Sequence, residues 1–461
     1  MTLSRFSHVF DLADSVALYN SLRMKPVYLA KDQFAMIEAE LKKSPIASDD
    51  FPLETRHIVE ELLRNKILVE DGETDQKIIQ RVRSKIPKPS VNVAYFILSE
   101  QCNLACRYCF LGNNNPDKRG LFKAEKMTLE TAQLALDFFI QQVEQSDPER
   151  ESSPPVIIFY GGEPILNFEA LEYIAQNVNE IRSKRKSMEK AEMSVISNGT
   201  LLDREKIKRL NQLGVAIAVS VDGSDEFANS QRVDKNGKQI FGKLTGILEI
   251  LREEQSNFSL SITLTEQTIS NASGLISLIE TYNVRSIGFN IIMSDEEFQP
   301  GDEYYSKASD FIIEMFIYLR SHGIYEDRIM RKLKSFVKSS IYFSDCAATS
   351  GSQVVITPDG SVGICHGCLA DRKYFVTDIN SRFRADQNSV YLDWCSLTPL
   401  NRDDCLACEA LGICGGGCPI NAERLHEGNT IHSLDERFCI HAKKTLSFLI
   451  SDLYRVIKSP K

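Results

Sequence analysis

The stretch NVAYFILSEQCNLACRYCFLG, residues 92–112, sets a short apolar strand directly before three cysteines, Cys102, Cys106 and Cys109, spaced CxxxCxxC. Twelve cysteines occur in the 461 residues. None precedes Cys102, three lie between 102 and 109, and nine fall between 346 and 439. The opening segment MTLSRFSHVFDLADSVALYN carries acidic side chains and no continuous apolar stretch, so it reads as having no secretory signal and the expected location is cytoplasmic. Thiols stay reduced there, and clustered cysteines point to metal rather than disulfides. Thiolate is the usual ligand of iron–sulfur clusters, and four of them close a 4Fe–4S cube. Three thiolates on one loop leave an iron open for an outside ligand, as a catalytic zinc keeps one position for substrate. Tyr108, between the second and third cysteines, can lie against a flat ligand.

Outward from this stretch the pattern alternates. Strands are read at NVAYFIL, PVIIFY, MSVIS, VAIAVSV, FSLSITL and SIGFNIIM. Helices are read at TLETAQLALDFFIQQVEQ, FEALEYIAQNVNEIRSKR, REKIKRLNQLG, GKLTGILEILREE, ISNASGLISLIETY and YYSKASDFIIEMFIYLRS. The strands are short and apolar, as expected where both sheet faces are covered. Six βα units predict an α/β fold, a parallel sheet curled into a partial (β/α)6 barrel, with a doubly wound open sheet as the competing arrangement. Chemistry in such a barrel sits at the carboxyl ends of the strands, where the three cysteines fall. FYGGEP, Phe159–Pro164, ends the second strand.

Residues 1–88 read as a separate α+β module of winged-helix outline, with strands around a turn, two helices and a short strand closed by the turn DGE. KIPKPS supplies the breakers of a boundary. The barrel is placed at 89–330. Residues 331–461 read as loop-rich, with little apolar periodicity and nine cysteines, so bound metal is expected to help hold them. The formal net charge is −9 with no concentrated basic patch, which argues against nucleic acid as a partner. No apolar run reaches membrane-spanning length.

CxxxCx(Tyr)C after strand one and GGEP after strand two resemble the radical S-adenosylmethionine (SAM) superfamily. The resemblance implies a 4Fe–4S cluster on Cys102, Cys106 and Cys109, whose open iron chelates the amino and carboxylate groups of SAM. It also implies reductive cleavage to a 5′-deoxyadenosyl radical that takes hydrogen from substrate. Tyr108 matches the aromatic position contacting the cofactor. Gly161, Gly162 and Glu163 match the turn meeting the methionyl amino group, and glycine lets backbone approach a ligand closely. ISNGTLL, with Ser197, and VSVDG also look like this family. Ser220 and Arg232 fall where relatives contact ribose and methionine carboxylate, and an arginine fork suits a carboxylate.

The second cysteine field has Cys346, thirteen residues, Gly360, four residues and Cys365, then CLACEALGICGGGC with Cys405, Cys408, Cys414 and Cys418, and finally Cys439. It resembles the SPASM extension of these enzymes. That implies two auxiliary 4Fe–4S clusters, three in all: an outer one on Cys405, Cys408, Cys414 and Cys439, and an inner one on Cys346, Cys365 and Cys418. Cys368 and Cys395 remain. Either can complete the inner set, with Cys395 favoured, or that cluster keeps an open iron. A zinc ribbon on Cys405, Cys408, Cys414 and Cys418 is the alternative. His366 stands where sulfatase-maturing relatives carry an aspartate proposed as base, and imidazole titrates in a useful range. The front module looks similar in outline to leader-binding elements of peptide maturases, which take a peptide by strand addition. The expectation is therefore a maturase that cross-links a ribosomally made precursor peptide, supplied with electrons by a flavodoxin or ferredoxin. The rivals are a sulfatase-maturing enzyme and a non-catalytic iron–sulfur electron carrier.

Overall fold

The computed structural model describes residues 1–43, 51–109, 111, 125–146, 153–293, 300 and 303–459. The front module begins with β1 (Thr2–Leu3) and an antiparallel sheet of β2 (Ser7–Asp11), β3 (Ser15–Asn20) and β4 (Val27–Ala30), ordered β2–β3–β4. Helices α1 (Lys31–Leu41) and α2 (Arg56–Arg64) follow, then β5 (Leu68–Val69), which pairs with β1. A third helix, α3 (Gly72–Arg83), starts where the sequence reading placed only the turn DGE. Asp71 caps it, its carboxylate accepting from the Thr74 N–H at 3.0 Å, and Glu73 and Asp75 favour its first turn.

The barrel strands are β6 (Val93–Ser99), β7 (Val156–Gly161), β8 (Glu192–Ser197), β9 (Val215–Val221), β10 (Phe258–Leu264) and β11 (Ser286–Ile291). All neighbours are parallel and their order in the sheet is their order in the chain. Every crossover therefore steps the same way. A doubly wound sheet would reverse its strand order part-way, so that alternative is excluded. The connecting helices are α4 (Leu129–Glu144), α5 (Phe168–Arg182), α6 (Arg204–Leu213), α7 (Phe241–Glu253), α8 (Ala272–Thr281) and α9 (Tyr304–Ser321).

One expectation about these strands does not hold. On β9, Val215, Ile217, Val219 and Val221 are buried while Ala216, Ala218 and Ser220 are only half-buried. On β10 the buried set is Phe258, Leu260, Ile262 and Leu264, and Ser259, Ser261 and Thr263 are half-buried. One face packs under the helices and the other, made of small and polar residues, stays accessible. The apolar runs hid a period-two alternation because alanine and serine broke it only weakly.

The C-terminal region is also more ordered than its sequence suggested. The short β12 (Tyr325–Glu326) extends β11, and α10 (Asp327–Lys338) follows it. At the other edge β13 (Gln353–Ile356) pairs parallel with β6. Strands β14 (Ser361–Gly363) and β15 (Phe375–Asp378) continue antiparallel, giving one mostly parallel sheet of ten strands. Ile364, Tyr391, Trp394 and Leu446 belong to the same buried core as the barrel, so this region is held by apolar packing onto it. The last helix, α11 (Glu436–Lys458), runs 23 residues and lies along α9, with Phe448 edge-on to Phe316. Among the described residues no helix is long and apolar enough to cross a membrane.

The front module seats on this C-terminal region. Tyr19 stacks on Phe336 of α10, and the Tyr28 hydroxyl donates to the Ile450 carbonyl of α11 at 2.8 Å. A side chain at Gly412 would place Cβ 2.2 Å from the Ser21 carbonyl oxygen and within 3 Å of the Met24 thioether. Overpacking a contact of backbone on backbone costs about 1–3 kcal/mol. Gly412→Ala is expected to lower the melting temperature and to open the 1–88 segment to limited proteolysis ahead of the barrel.

Candidate active site

The site is built from the turn after β7 upward. Gly161 has φ +142°, and a Cβ there would lie 2.2 Å from the Ser99 carbonyl oxygen. At Gly162 a Cβ would lie 2.4 Å from the Gln101 carbonyl oxygen. The N–H groups of Gly162 and Glu163 donate to those two carbonyls, at 2.9 and 2.8 Å. The glycines are therefore required by the chain's own approach to the cysteine loop, whatever ligand lies beyond. Glu163 is fully buried. Its carboxylate accepts from the Ser197 hydroxyl and the Asn198 N–H, both at 2.8 Å, and from the Ile165 N–H at 3.0 Å. Burial raises its pKa despite these bonds. Glu163 and Ser197 thus lock the β7 turn to the β8 turn.

The cysteine loop is pinned on its other side by Ala105 N–H to the Val233 carbonyl at 2.7 Å and Arg107 N–H to the Gln231 carbonyl at 3.0 Å. Leu104 N–H and the Asn198 amide approach the Cys102 sulfur at 3.4 and 3.8 Å. Burial pushes the Cys102 thiol up to about 11 and Cys109 to about 12. The charge of Cys106 raises both, and that of Cys102 raises Cys109 further. Three thiols that feel one another's charge in a dry loop are costly to ionise without a cation. This is the donor set expected to take up a positively charged metal centre and release protons as it does so.

Beside them lies a buried triad whose acidic member the sequence reading missed. The Tyr108 hydroxyl hydrogen-bonds both carboxylate oxygens of Asp222 at 2.7 Å and accepts from Arg232 Nη1 at 2.8 Å. Arg232 reaches Asp222 at 3.5 Å. Arg232 Nε is buried without a hydrogen-bond partner, an unmatched donor fit for a carboxylate ligand. Asp222 stood in the quoted VSVDG, but only the fold brings it to Tyr108. Ser220, opposite Ser261 in the register, faces the accessible side of the sheet.

The later cysteines divide into two groups. Cys346 and Cys365 each raise the Cys418 thiol, which burial carries to about 12, and Cys365 raises Cys346. Cys405, Cys408 and Cys414 all raise Cys439, again to about 12 after burial. Cys346 is exposed by accessible surface, yet burial still raises its thiol. Cys368 hydrogen-bonds Cys365 and is the main cause of that thiol's raised pKa. Cys395 lies against Gly351, five residues after Cys346. Among the described residues no three Cys, His, Asp or Glu side chains close on a single point as one zinc ion needs.

His366 sits between the two regions. Its ring stacks on Tyr95 at 4.5 Å and meets Tyr160 edge-on at 5.2 Å, and burial lowers its pKa to about 4. The imidazole is neutral near pH 7 and does not titrate in the range its sequence position suggested. Tyr160 feels Cys109 and Cys102, and Tyr95 feels Cys346 and Cys365. An ion pair between Glu100 and Arg372 ties the first cysteine loop to the loop after Cys368.

The family description Radical SAM superfamily matches residues 96–279. The chain carries a radical SAM domain. A radical SAM cyclopropyl synthase, TigE of Paramaledivibacter caminithermalis, is 23% identical over 428 residues, covering 87% of this chain and 85% of the relative. A cysteine-type anaerobic sulfatase-maturating enzyme of Clostridium perfringens is 23% identical over 337 residues, covering 69% and 86%. Among solved structures, native anSMEcpe with bound AdoMet superposes with TM-score 0.63 at 19% identity, covering 80% of this chain and 100% of that one. Streptococcus suis SuiB bound to precursor peptide SuiA gives TM-score 0.52 at 14% identity, covering 95% and 99%. The radical SAM fold is thus shared with both kinds of enzyme.

Removing one partner of the buried triad leaves a charge unmatched, at a cost of about 3–5 kcal/mol. Arg232→Met is expected to lower the melting temperature sharply, with much of the loss recovered in Arg232→Met/Asp222→Asn. Burial raises Asp222 from its ordinary 3.8 to about 6, so the folded state holds this proton more tightly than the unfolded chain. The stability it contributes is present below about pH 4 and lost as pH rises through 6. Asp222→Asn should flatten that part of a pH–melting profile.

Proposed function

We propose that this protein is a radical SAM peptide maturase with a SPASM region, acting on a ribosomally made precursor peptide and closing an intramolecular carbon–carbon or thioether link. The reading rests first on three neighbouring cysteines on one loop at the carboxyl end of β6, backed by the Gly161–Gly162 turn. Cys102, Cys106 and Cys109 would hold a 4Fe–4S cluster, and Arg232, Tyr108, Ser220 and the Gly161–Glu163 turn would seat SAM. Bound there, cluster and SAM supply reductive cleavage and a 5′-deoxyadenosyl radical that takes hydrogen from the peptide. The chain's part is to position and to exclude water. Glu163 and Ser197 fix the turn, while Asp222 and Tyr108 aim the Arg232 fork.

The two later groups, Cys346, Cys365 and Cys418, and Cys405, Cys408, Cys414 and Cys439, are assigned an auxiliary cluster each. Cys368, held against Cys365, is a better placed fourth inner ligand than Cys395. His366 packs neutral against Tyr95 and Tyr160, and burial makes its imidazole a weak proton acceptor. A low-potential flavodoxin or ferredoxin supplies electrons.

Coverage of the relatives supports a peptide substrate. The cyclopropyl synthase covers 87% of the chain and SuiB, solved with its precursor peptide, 95%, whereas the sulfatase-maturating enzyme of Clostridium perfringens covers 69% and native anSMEcpe 80%. The second reading, formylglycine formation, is favoured by the higher TM-score to anSMEcpe. The two separate on product. Reduced, reconstituted protein should release 5′-deoxyadenosine and remove two hydrogens from a peptide encoded beside its gene, leaving a link resistant to aldehyde reagents. An aldehyde formed on a synthetic peptide with a sulfatase Cys or Ser motif would establish the rival. SAM consumed without deoxyadenosine would end both.

The leader is assigned to the free edge of β2. Ser21 N–H to the Phe6 carbonyl and Leu12 N–H to the Ser15 carbonyl set the ladder parity, so even-numbered residues of β2 face β3 and the Val9 backbone faces outward. Val9 is half exposed. Proline is tolerated on edge strands and lacks the donor N–H. Val9→Pro is expected to weaken binding of a labelled leader peptide tenfold or more, with the circular-dichroism spectrum retained. Unchanged affinity would move the leader site elsewhere.

A further inference from the structure

Two buried ion pairs lie between the two later cysteine groups, and neither belongs to the radical SAM motifs. The Lys332 ammonium, fully buried on α10, donates to Asp345 at 3.0 Å and to the carbonyls of Ile413 and Cys414 at 3.4 and 3.2 Å. Asp345 immediately precedes Cys346, and its N–H donates to the Gly415 carbonyl, next to Cys414, at 2.9 Å. One lysine thus joins the backbone of an outer-group cysteine to the residue beside an inner-group cysteine. Arg331 reinforces the join, donating to the Asp345 carbonyl at 2.6 Å.

The second pair repeats the arrangement from the other side. Asp435 accepts from the Cys418 N–H at 3.0 Å through its carboxylate and from the Cys439 N–H at 3.1 Å through its carbonyl. Arg437 holds that carboxylate at 3.2 Å and anchors itself on the Ile291 carbonyl at the end of β11. Cys418 is of the inner group and Cys439 of the outer. Both pairs are almost entirely removed from solvent, so their charges are weakly screened. Lys332 acts on Cys414 and Arg437 on Cys418, each favouring the anionic sulfur.

We infer that Lys332–Asp345 and Arg437–Asp435 are positioning residues that couple the two auxiliary sites, so that one buried cation sets the reduction potential of both. The inference rests on the reading of these seven cysteines as two cluster sites. The physical ground is simple. A 4Fe–4S centre becomes more negative by one charge when it accepts an electron from an external donor, and a nearby fixed cation favours that state. A lysine touching the surroundings of both sites acts on both. No proton transfer is required.

The test uses full-length protein carrying Cys102→Ala, Cys106→Ala and Cys109→Ala, which leaves only the auxiliary sites, reconstituted and titrated against potential with detection by electron paramagnetic resonance. Adding Lys332→Met should move both midpoints negative by at least tenfold in the reduction equilibrium constant, about 59 mV for one electron. Adding Asp345→Asn as well restores the net buried charge and should return both to within threefold of the parent. A shift at one centre alone, at neither, or unrelieved in the double variant overturns the coupling. Should Lys332→Met fail to fold, Arg437→Gln asks the same question from the second pair, and again both midpoints must move. A parent without two auxiliary signals overturns the two-site reading itself, a result distinct from any behaviour of the variants.

Discussion

The contact between the Gly161–Gly162 turn and the Ser99–Gln101 backbone is the constraint on which the site depends. A CxxxCxxC loop has no regular structure of its own to aim three sulfurs at one place. It acquires direction because β6 delivers it at the sheet's carboxyl edge and because the neighbouring strand's turn lies against its first residues, too close for any side chain. Glu163 then passes that rigidity to β8 through Ser197 and Asn198, and the loop's far side is fastened to the Gln231–Val233 segment that also carries Arg232. Sulfurs, carboxylate-binding arginine and tyrosine are consequently fixed relative to one another by main-chain bonds. Fixing of this kind is the preorganisation that holds reacting groups in place.

Charge is the second theme. The described thiol groups sit where burial opposes ionisation, which would make an empty site reluctant to hold thiolates and a metal-bearing site firmly closed. The chain answers with buried cations: Arg232, held on Tyr108 and Asp222 beside the first loop, and Lys332 and Arg437, anchored on main-chain carbonyls, behind the later ones. Each is matched by a carboxylate, so the interior is not left with an isolated charge. The matching aspartates, Asp222, Asp345 and Asp435, also accept backbone or tyrosine donors, and this makes them part of the framework as well as counter-ions.

What could be read from the sequence was whatever is local. The cysteine spacings, the double glycine, the βα alternation and the order of strands are all encoded within tens of residues. The partners that orient them are not. Asp222 and Tyr108 are separated by more than a hundred positions, and Lys332 meets Cys414 across eighty. The helix over 72–83 was nonetheless signalled, by Asp71 as cap, acidic residues in its first turn and Ile78, Ile79 and Val82 on one side. DGE also spells a turn, and the two signals overlap at the same three residues. Likewise α11 was hidden by attention to its cysteine, although Phe438, Ala442, Leu446 and Leu449 recur at helical intervals. The half-open face of β9 and β10 escaped for another reason: alanine and serine are neutral in a hydrophobicity count, so a lumen wall made of them resembles a buried one.

That lumen wall bears on what the enzyme handles. Ser220, Ser261 and Thr263 line one side without a charge, and Asn290 donates to Ser261 at 3.0 Å. The opposite side carries Tyr95, Tyr160 and the neutral His366 in mutual ring contact. Small hydroxyls leave width, and aromatic faces give apolar area at little entropic cost. A peptide backbone, rich in donors and acceptors and uncharged, suits the first wall, and an apolar side chain suits the second. On the maturase reading, selection by polarity would fall to this wall and recognition of one precursor over others to the front module. That module has its own seat on α10 and α11, through Tyr19 on Phe336 and Tyr28 on Ile450, apart from this wall.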